Sequence, residues 1–519
     1  MKKFFIPAVF SLGIFISLAN AEQRTVALPP ADAPNPPAIK APSKEKGTGE
    51  SQALILTNGP DMKKDQERTP PPPTTLTVMY KVQYGDTLNY VKPDGTRQSF
   101  EQWESFKNDA ASLLIATNEG LKDGNNYQCA TKPLASNDFD PVDIPILYMT
   151  GDYDFVLKDA EVENLRRYLM AGGTILFNAA RGMDAYNIAV VREMQRVFPE
   201  KKFMRIPPDH PLFNSYKPVT NVTTLVNGVQ ASNPPEVFSL DIGTRAAAIL
   251  VPYGLGTAWS SNQQPGQPHY NPAGKHILGE GAVRLGVNMV SYVLAMTEYS
   301  KFLAQQFPKY NNKTRSGDVF RFASVRYSGS WDVNPGIQNS ILLGLNDNTH
   351  INVDFAPHVV TLDDSAQTGN YPVLFMTGHY NFKLTAQERT GLIKYLKQGG
   401  MLVASAAGGL SPFDTAFRRE LKEAFPNGEL VKLPPTHPLF AGWSPTDRVA
   451  YTDAAMRDNS KLDRPEFYGL FINDRLAVLY TSYDLNSGLN HESNVYAKGL
   501  VPTDGLRVAI NIITYALSH

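Results

Sequence analysis

The chain contains few of the residue patterns that usually reveal a protein's chemistry. Its 519 residues include a single cysteine, Cys129, which excludes an internal disulfide. Basic and acidic residues number 49 and 50, so no charge excess indicates a nucleic-acid or anionic-membrane partner. No metal-binding cluster, phosphate-binding loop or nucleophile motif stands out in the sequence. We therefore expect no nucleic-acid partner, no cofactor and no metal ion.

Long apolar runs are also lacking, apart from one at the start of the chain. Lys2 and Lys3 precede an apolar stretch over residues 4–18, and the small residues around Ala21 are typical of a signal-peptide cleavage site. A membrane span needs roughly 20 apolar residues, and this stretch is shorter. We predict a signal peptide over residues 1–21, with an uncleaved anchor as the alternative. The mature chain is then exported to the periplasm or the extracellular space, without a membrane span.

A second change in composition follows the predicted signal peptide. Residues 22–75 are rich in proline, alanine, lysine and glutamate, and they show no sustained apolar period. Such a segment cannot bury enough apolar surface to order itself, so it predicts a disordered, proline-rich linker. We interpret the linker as a spacer that holds the folded part away from the site of export.

The most informative feature that is present is an internal duplication. Residues 149–155 return in similar form at 376–382, and the register then continues without a gap for more than sixty residues. Over the first 34 aligned positions about 15 residues are identical, which exceeds chance. We predict two diverged copies of one domain, named here copy one (residues 76–299) and copy two (residues 317–519). A connector over residues 300–316 separates them.

Each copy alternates between strand and helix patterns. Apolar strands at 144–149 and 373–376 are followed by helices whose leucines recur at a spacing of four. Thr385 and Glu388 have the spacing of a capping box, and glycine pairs end the helices. Alternation with short connections predicts that each copy is a doubly wound α/β domain with a mainly parallel sheet. This is the fold class of flavodoxin.

Three motifs connect the chain to a known family. They are Thr-Gly-His-Tyr-x-Phe at 377–382, Tyr-Leu-x-x-Gly-Gly at 395–400, and Phe-Pro followed by His-Pro-Leu-Phe within 425–440. Together with Tyr327 and Trp331 near the start of copy two, the pattern resembles the bacterial domain of unknown function 4159. The resemblance covers nearly all of both copies. It implies a fold related to the class I glutamine amidotransferases, and it implies no particular activity.

The chain departs from that family after the second strand of each copy. Family members tend to carry acidic residues there, whereas this sequence has Asn178 and Ser405, each followed by alanines. A function that needs a carboxylate at this place is therefore not expected. Ser405 is the best-placed nucleophile for an amidotransferase-like hydrolase, although it lacks the flanking glycines of a nucleophile elbow.

The carboxyl ends of the strands are the first place to look for a site, because open α/β sheets bind ligands there. His379 follows such a strand in copy two, and Asp152 takes the same place in copy one. His210 and His437 recur before prolines in matching surroundings. Each of these side chains is a candidate base or ligand contact. Each could equally serve the fold by bonding to loop backbone.

Two histidines of copy two could also contribute to a metal site. His379 and His437 would supply two ligands if they met across a cleft, whereas metal ions in proteins normally need three or four. Asp484 and His491 are the further candidates. We predict no metal site.

Polar residues also recur on the closing helix of each copy. Arg284 and Arg507 begin stripes that continue through asparagine and tyrosine at i+4 and i+8, on one helix face. Such a stripe could line the seam between the copies or fasten neighbouring loops. Tyr153 and Tyr380 could present their rings to a peptide or carbohydrate, or they could cap the core. The predicted binding residues are therefore Asp152, Tyr153, His210, Tyr380, Arg284 and Arg507.

Together these observations predict a non-catalytic protein of the bacterial envelope. The difference between Asp152 and His379 argues against two equal active sites. We expect a ligand- or protein-binding and assembly module formed by an internal pseudo-dimer, with an envelope protein or a small polar ligand as partner. The alternative is an amidase-like, esterase-like or metal-assisted hydrolase at the strand ends of copy two, using His379, His437 and Ser405. A third possibility is that the two domains are only structural and that the proline-rich linker carries the function. The sequence does not determine the oligomeric state.

Overall fold

The computed structural model describes residues 74–92, 94–261, 270–304, 319–334, 336–485 and 494–519. The predicted signal peptide, all but the last two residues of the predicted linker, and His491 lie outside the described residues. Within the described part, no helix is long and apolar enough to cross a membrane.

The elements of copy one follow the predicted alternation of strands and helices. Its strands are β1 (Thr74–Gln83), β2 (Leu88–Val91), β3 (Arg97–Phe100), β4 (Asn125–Pro133), β5 (Ile146–Gly151), β6 (Thr174–Ala179), β7 (Met204–Arg205), β8 (Val222–Val226), β9 (Val229–Asn233), β10 (Phe238–Ile242), β11 (Arg245–Val251) and β12 (Lys275–Ile277). Its helices are α1 (Asp109–Leu121), α2 (Asp159–Met170), α3 (Asp184–Val197), α4 (Gly256–Ser261) and α5 (Gly279–Ala304).

Copy two repeats this succession with fewer additions. Its strands are β13 (Val319–Phe320), β14 (Phe322–Arg326), β15 (Asn352–Val353), β16 (Val359–Thr361), β17 (Val373–Gly378), β18 (Met401–Ala406), β19 (Val431–Lys432), β20 (Tyr468–Ile472) and β21 (Arg475–Thr481). Its helices are α6 (Ile337–Asn348), α7 (Ser365–Thr368), α8 (Ala386–Lys397), α9 (Ser411–Ala424), α10 (Asp453–Asp458) and α11 (Pro502–Ser518).

Each copy is built around a seven-stranded sheet with the same strand order. The order is β4-β1-β5-β6-β11-β10-β7 in copy one and β16-β14-β17-β18-β21-β20-β19 in copy two. The first five strands of each order are parallel, and β10 or β20 pairs antiparallel with its neighbours. Numbered within a copy, the parallel strands run 2-1-3-4-5, which is the order of flavodoxin. The predicted doubly wound α/β fold is therefore confirmed.

Helices cover both faces of each sheet, which accounts for the continuous apolar strands. In copy one, α2 and α3 pack on one face and α1 and α5 on the other, each pair over its own buried cluster. Copy two repeats this arrangement with α8 and α9 opposite α6 and α11. All residues of β5 and β17 are buried, as expected for parallel strands covered on both sides.

Local sequence signals place the ends of helix α8. The Thr385 hydroxyl accepts the backbone N–H of Glu388, and the Glu388 carboxylate accepts the backbone N–H of Thr385, which confirms the predicted capping box. After the helix, Gly399 has a φ of 108°, a conformation that side chains disfavour. Gly400 lies so close to Tyr395 that any side chain on it would collide with the ring. These two glycines let strand β18 begin at once.

Some described elements extend beyond the predicted bounds. Strand β1 begins at Thr74, and the closing helix α5 continues to Ala304, into the predicted connector. Strand β18 reaches Ala406, two residues beyond the end of the apolar run at Ala404, because its pairing with β17 continues that far. Ser405 therefore lies inside a strand.

Candidate functional site

The crevice of copy two lies where the strand order changes direction. In this fold class, ligands bind beyond the carboxyl ends of the first and third strands, here β14 and β17. Residues 329–333 follow β14, and His379 and Tyr380 follow β17. Copy one fills much of this crevice with side chains, and a cavity of about 220 Å³ remains between Lys201, Asp241 and the residues after β14.

His379 meets a carboxylate of the other copy. Its Nδ1 lies 3.3 Å from Oδ2 of Asp241, on strand β10 of copy one. The hydroxyl of Tyr380 donates to the same oxygen at 2.7 Å and lies 2.8 Å from Oγ of Ser239. His379 is 3% exposed, and the side chain of Asp241 is 12% exposed. These four side chains, named here the His379 cluster, join the two copies through hydrogen bonds that are largely shielded from water.

The electrostatics of the His379 cluster keep Asp241 ionised. Burial by itself raises the pKa of Asp241, but hydrogen bonds and charge from His379 and the hydroxyls of Ser239 and Tyr380 outweigh it, so this pKa lies below its usual value. Burial and the neighbouring carboxylate raise the pKa of Tyr380 well above its usual value, so its hydroxyl stays protonated and donates. Oδ1 of Asp241 is buried and has no hydrogen-bond partner among the described residues.

The histidine that shares a cavity with His379 is His210 of copy one. The backbone N–H of Leu212 donates to Nδ1 of His210 at 3.1 Å, so the proton of the neutral ring is on Nε2. Burial lowers the pKa of His210 to about 4. The shared cavity measures about 10 Å³, which is about the room that one water molecule needs. A substrate could reach His379 through it only if the copies moved apart.

His437 repeats the geometry of His210 within copy two. The backbone N–H of Leu439 donates to its Nδ1 at 3.2 Å, and burial lowers its pKa. The structure thus brings His379 together with His210, whereas the ring of His437 contacts three aromatic rings of copy two: Phe440, Phe471 and Tyr515. In the part of the chain that the structure describes, no group of three or more histidine, cysteine or acidic residues could hold a metal ion.

Ser405 is placed differently from a nucleophile on a turn. It lies within β18, and its side chain is fully buried. Its carbonyl accepts a hydrogen bond from Oγ1 of Thr377 at 2.9 Å. A serine on a nucleophile elbow is exposed at the end of its strand, and Ser405 has no such exposure.

In copy one, the position of His379 holds Asp152, and its surroundings differ. Asp152 is buried and forms an ion pair with the guanidinium of Arg181, whose backbone N–H also donates to it at 2.8 Å. The hydroxyl of Ser105 donates to the same carboxylate at 3.0 Å. Copy two has Gly408 in the place of Arg181. One strand end therefore holds a carboxylate that is neutralised within its own copy, and the other holds an imidazole that reaches across to the other copy.

Copy one fills its own crevice with the segment that follows β1. Oε1 of Gln102 accepts the backbone N–H of Tyr153 at 3.3 Å. The β2–β3 hairpin adds Phe100, whose ring packs edge-on against that of Tyr153 with the centroids 5.9 Å apart. Tyr153 nevertheless remains 48% exposed, whereas the equivalent Tyr380 is 5% exposed.

The polar stripes of the closing helices mainly fasten loops within each copy. The amides of Asn288 and Asn511 donate to loop carbonyls at 2.7 and 2.6 Å. Arg284 and Arg507 form ion pairs with acidic residues of their own helices. Tyr292 is the stripe residue that contacts the other copy. Its ring stacks on that of Tyr496 of copy two, with the centroids 5.7 Å apart.

The two copies contact each other through different surfaces. We name the surface beyond β14, β17 and β18 the head of copy two, and the surface of β7, β10 and their adjoining loops the tail of copy one. Lys201 of the tail forms an ion pair with Asp332 of the head at 2.6 Å. The carboxylate of Asp209 accepts the backbone N–H of Ser411 at 2.9 Å. The contact is head to tail, so the two halves of the expected pseudo-dimer are not equivalent.

A larger groove lies beside the His379 cluster, between the same two surfaces. Its volume is about 760 Å³. Tyr380 and Asn381 line it from copy two, and Met204 and Phe213 line it from copy one. Apart from Arg205, the described residues of its lining are uncharged. Prolines form much of the wall: Pro207, Pro208, Pro218, Pro234, Pro235 and Pro412.

Sequence reasoning missed Asp241, the central residue of the His379 cluster. Strands β10 and β20 pair with their neighbours in the same register, so Asp241 corresponds to Phe471 and Ser239 to Gly469. The other positions of the two strands are apolar in both copies. A comparison of the copies at these strands would have shown the two polar differences.

A second buried polar cluster was also missed, because an isolated lysine in a strand gives no periodic signal. Nζ of Lys81 lies 2.6 Å from one oxygen of Asp109, and the hydroxyl of Tyr148 donates to the other at 2.7 Å. All three side chains are buried. Because the charges neutralise each other inside the core of copy one, the cluster supports the packing of α1 on the sheet.

Comparisons with known proteins agree with the duplication. Residues 100–294 and 321–517 match the model of a family described as Domain of unknown function (DUF4159), one segment in each copy. None of the curated proteins matches. Among solved structures, the alpha-L-fucosidase isoenzyme 2 from Paenibacillus thiaminolyticus is similar at 13% identity over 43% of this chain and 33% of that chain, with a TM-score of 0.17. The chain thus spans about a third of the length of that structure.

Proposed function

Since the chain belongs to the family of Domain of unknown function (DUF4159), whose description names no activity, we propose its function from the geometry of the site. The protein is a non-catalytic binding and assembly module of the bacterial envelope. It holds an extended, apolar segment of an envelope protein in the groove between its two copies. The observation that carries this proposal is the contrast between an accessible apolar groove and a buried His379 cluster beside it.

The lining of the groove supports an apolar, extended ligand. Proline has a fixed φ and no backbone N–H, so the proline-rich walls are rigid and offer few hydrogen-bond donors. Rigid walls reduce the entropy cost of binding. Phe213 and Tyr380 also line the groove, although each is only 5% exposed. A small polar ligand would leave most of this surface without a matching partner.

The filled crevices support a non-catalytic role. The strand ends where this fold class binds small ligands are occupied in copy two by the tail of copy one, and in copy one by Gln102 and Ser105. In both copies, the strand ends therefore bind other parts of the same chain. The resemblance to amidotransferases that the motifs imply would then reflect a common ancestry of the fold, and the amidotransferase chemistry would not be retained.

One observation favours the hydrolase as a second candidate. The Asp241 carboxylate beside Nδ1 of His379 is the arrangement that orients an imidazole as a general base. That function would require a nucleophile to reach Nε2 of His379 without separating the copies, because their separation would break the contact between His379 and Asp241. Ser405 is buried within its strand, so in this candidate a water molecule would act as the nucleophile.

Peptide display provides the test of the groove. A phage library of random linear peptides is panned against the immobilised protein, and the selected peptides are measured by fluorescence anisotropy. We expect selection of apolar, proline-containing sequences and at least tenfold weaker binding to Met204→Lys, which places a charge in the groove. The control is Met170→Lys, at an exposed methionine on α2 that does not line the groove, and it should bind as the wild type does.

Two results would overturn the proposal. One is selection of peptides whose binding is the same in wild type, Met204→Lys and Met170→Lys. The other is hydrolysis of amide, ester or glycosyl substrates by the purified protein, with loss of that activity in His379→Ala. The second result would establish the hydrolase instead.

A further inference from the structure

The contact between the copies leaves one equivalent surface of each kind outside it; the head of copy one is partly covered by its own β2–β3 hairpin, and Tyr153 stays 48% exposed there. In a symmetric contact, both copies use the same patch, and no equivalent patch remains. Here the contact joins the head of copy two to the tail of copy one. The head of copy one, around Tyr153, and the tail of copy two, around Phe471, do not take part in it. Head-to-tail contacts of this kind can repeat, because each added unit presents the next free surface.

Exposed apolar side chains lie at the positions on these free surfaces that are equivalent to the internal contact. Tyr153 corresponds to Tyr380, Phe471 to Asp241, and Val431 to Met204. Tyr153 is 48%, Phe471 40% and Val431 43% exposed. Three large aromatic side chains are exposed in the described part of the chain: Tyr153, Trp443 and Phe471. Two of these three aromatic residues, Tyr153 and Phe471, therefore lie at positions whose equivalents in the other copy form the internal contact.

The charges at these surfaces are also complementary. Arg205 and Asn381 line the groove of the internal contact from opposite sides. Their equivalents are Lys432 on the tail of copy two and Asp154 on the head of copy one, a cation and an anion. Both side chains are solvent-exposed and form ion pairs within their own copies. A contact with the same geometry as the internal one would bring opposite charges together at its rim, which favours the correct orientation on encounter.

From these relationships we infer that the exposed part of the head of copy one, around Tyr153, binds the tail of copy two in a second copy of this chain. The ring of Tyr153 in one molecule packs against Phe471 and Val431 of the other. The internal contact is polar at this position, because Asp241 stands there. The contact between molecules is apolar, because Phe471 is the equivalent residue. Asp152 needs no partner from the second molecule, because Arg181 already neutralises it. The surface is separate from the groove between the copies, so this inference holds or fails independently of the proposed function.

Sedimentation velocity over a wide concentration range tests this association. We expect the weight-average mass of the wild-type chain to rise with concentration to at least twice the monomer mass. Phe471→Asp and Tyr153→Ala should remain monomeric over the same range, with unchanged circular dichroism spectra. The control is Ile115→Asp, at an apolar residue on α1 that is 42% exposed. It should associate as the wild type does.

Cross-linking identifies the surfaces that meet. Two chains in a Cys129→Ser background, one carrying Tyr153→Cys and the other Phe471→Cys, should form a disulfide-linked dimer when mixed and oxidised. A mixture of the Ile115→Cys and Phe471→Cys chains should form little of it. A wild-type chain that stays monomeric at every concentration would overturn the inference. So would association that persists in both Phe471→Asp and Tyr153→Ala.

Discussion

Nδ1 of His379 lies 3.3 Å from Oδ2 of Asp241, although these residues belong to different copies and are 138 positions apart in the sequence. The crevice that would hold a ligand in a single domain of this fold class therefore serves as a joint between two domains. Because the joint consists of a few buried hydrogen bonds, single substitutions in it should change stability by measurable amounts.

Replacing Tyr380 with phenylalanine removes the hydroxyl that connects Ser239 with Asp241. We expect the free energy of unfolding to fall by about 1–3 kcal/mol, because two buried polar groups lose a hydrogen-bond partner. Urea unfolding followed by circular dichroism measures the change. Tyr153→Phe, at the half-exposed equivalent position, should change stability by less than about 0.5 kcal/mol. Equal effects of the two substitutions would contradict the assigned role of Tyr380.

Replacing Asp241 with asparagine should destabilise the protein in a manner that depends on pH. Folding lowers the pKa of Asp241, so its ionised form stabilises the fold above the unfolded-state pKa of about 3.9. This contribution is lost as pH falls through the lower pKa of the folded protein. The stability difference between wild type and Asp241→Asn should therefore be largest well above the unfolded-state pKa of about 3.9 and shrink as pH falls below it. Urea unfolding at several pH values measures it, and a difference that persists at the lowest pH would count against this explanation.

His210 should make stability depend on pH in a higher range. Burial lowers its pKa from 6.5 to about 4 in the folded protein, so the unfolded chain takes up a proton first on acidification. Stability is then fully present above about pH 6.5 and falls toward about pH 4, by roughly 3 kcal/mol in total. His210→Asn keeps an acceptor for the backbone N–H of Leu212 but does not titrate, so its stability should vary less with pH. His437→Asn, at a less buried ring, should flatten the profile less; identical profiles for wild type and His210→Asn would refute the assignment.

The ion pair between Arg181 and Asp152 should be coupled energetically. Arg181→Ala leaves the buried carboxylate without its cation, and we expect a loss of about 1–3 kcal/mol, reduced because the guanidinium is partly exposed. Adding Asp152→Asn should recover part of that loss, and a double-mutant cycle gives the coupling energy. The exposed pair of Arg448 and Asp463 is the control and should show little coupling. A coupling energy near zero for Arg181 and Asp152 would show that Asp152 does not depend on this cation.

The candidate site could be predicted only in part from the sequence. The strand-end position of His379 follows from local patterns, because a short apolar strand and a capped helix surround it. The apolar run ends at Ala404, which predicts a turn at Ser405, whereas pairing with β17 extends the strand to Ala406. The partnership with Asp241 left no local signal, since the two residues meet only after both domains have folded and packed.

The sequence by itself determined two doubly wound copies, their helix caps and the chemical difference between Asp152 and His379. The strands, helices and caps depend on backbone hydrogen bonding and side-chain spacing over a few residues. Only the tertiary structure decided that the head of copy two meets the tail of copy one, and that His210 rather than His437 approaches His379. A duplicated sequence permits symmetric and head-to-tail contacts alike. The choice between them depends on the complementarity of surfaces whose residues are far apart in the chain.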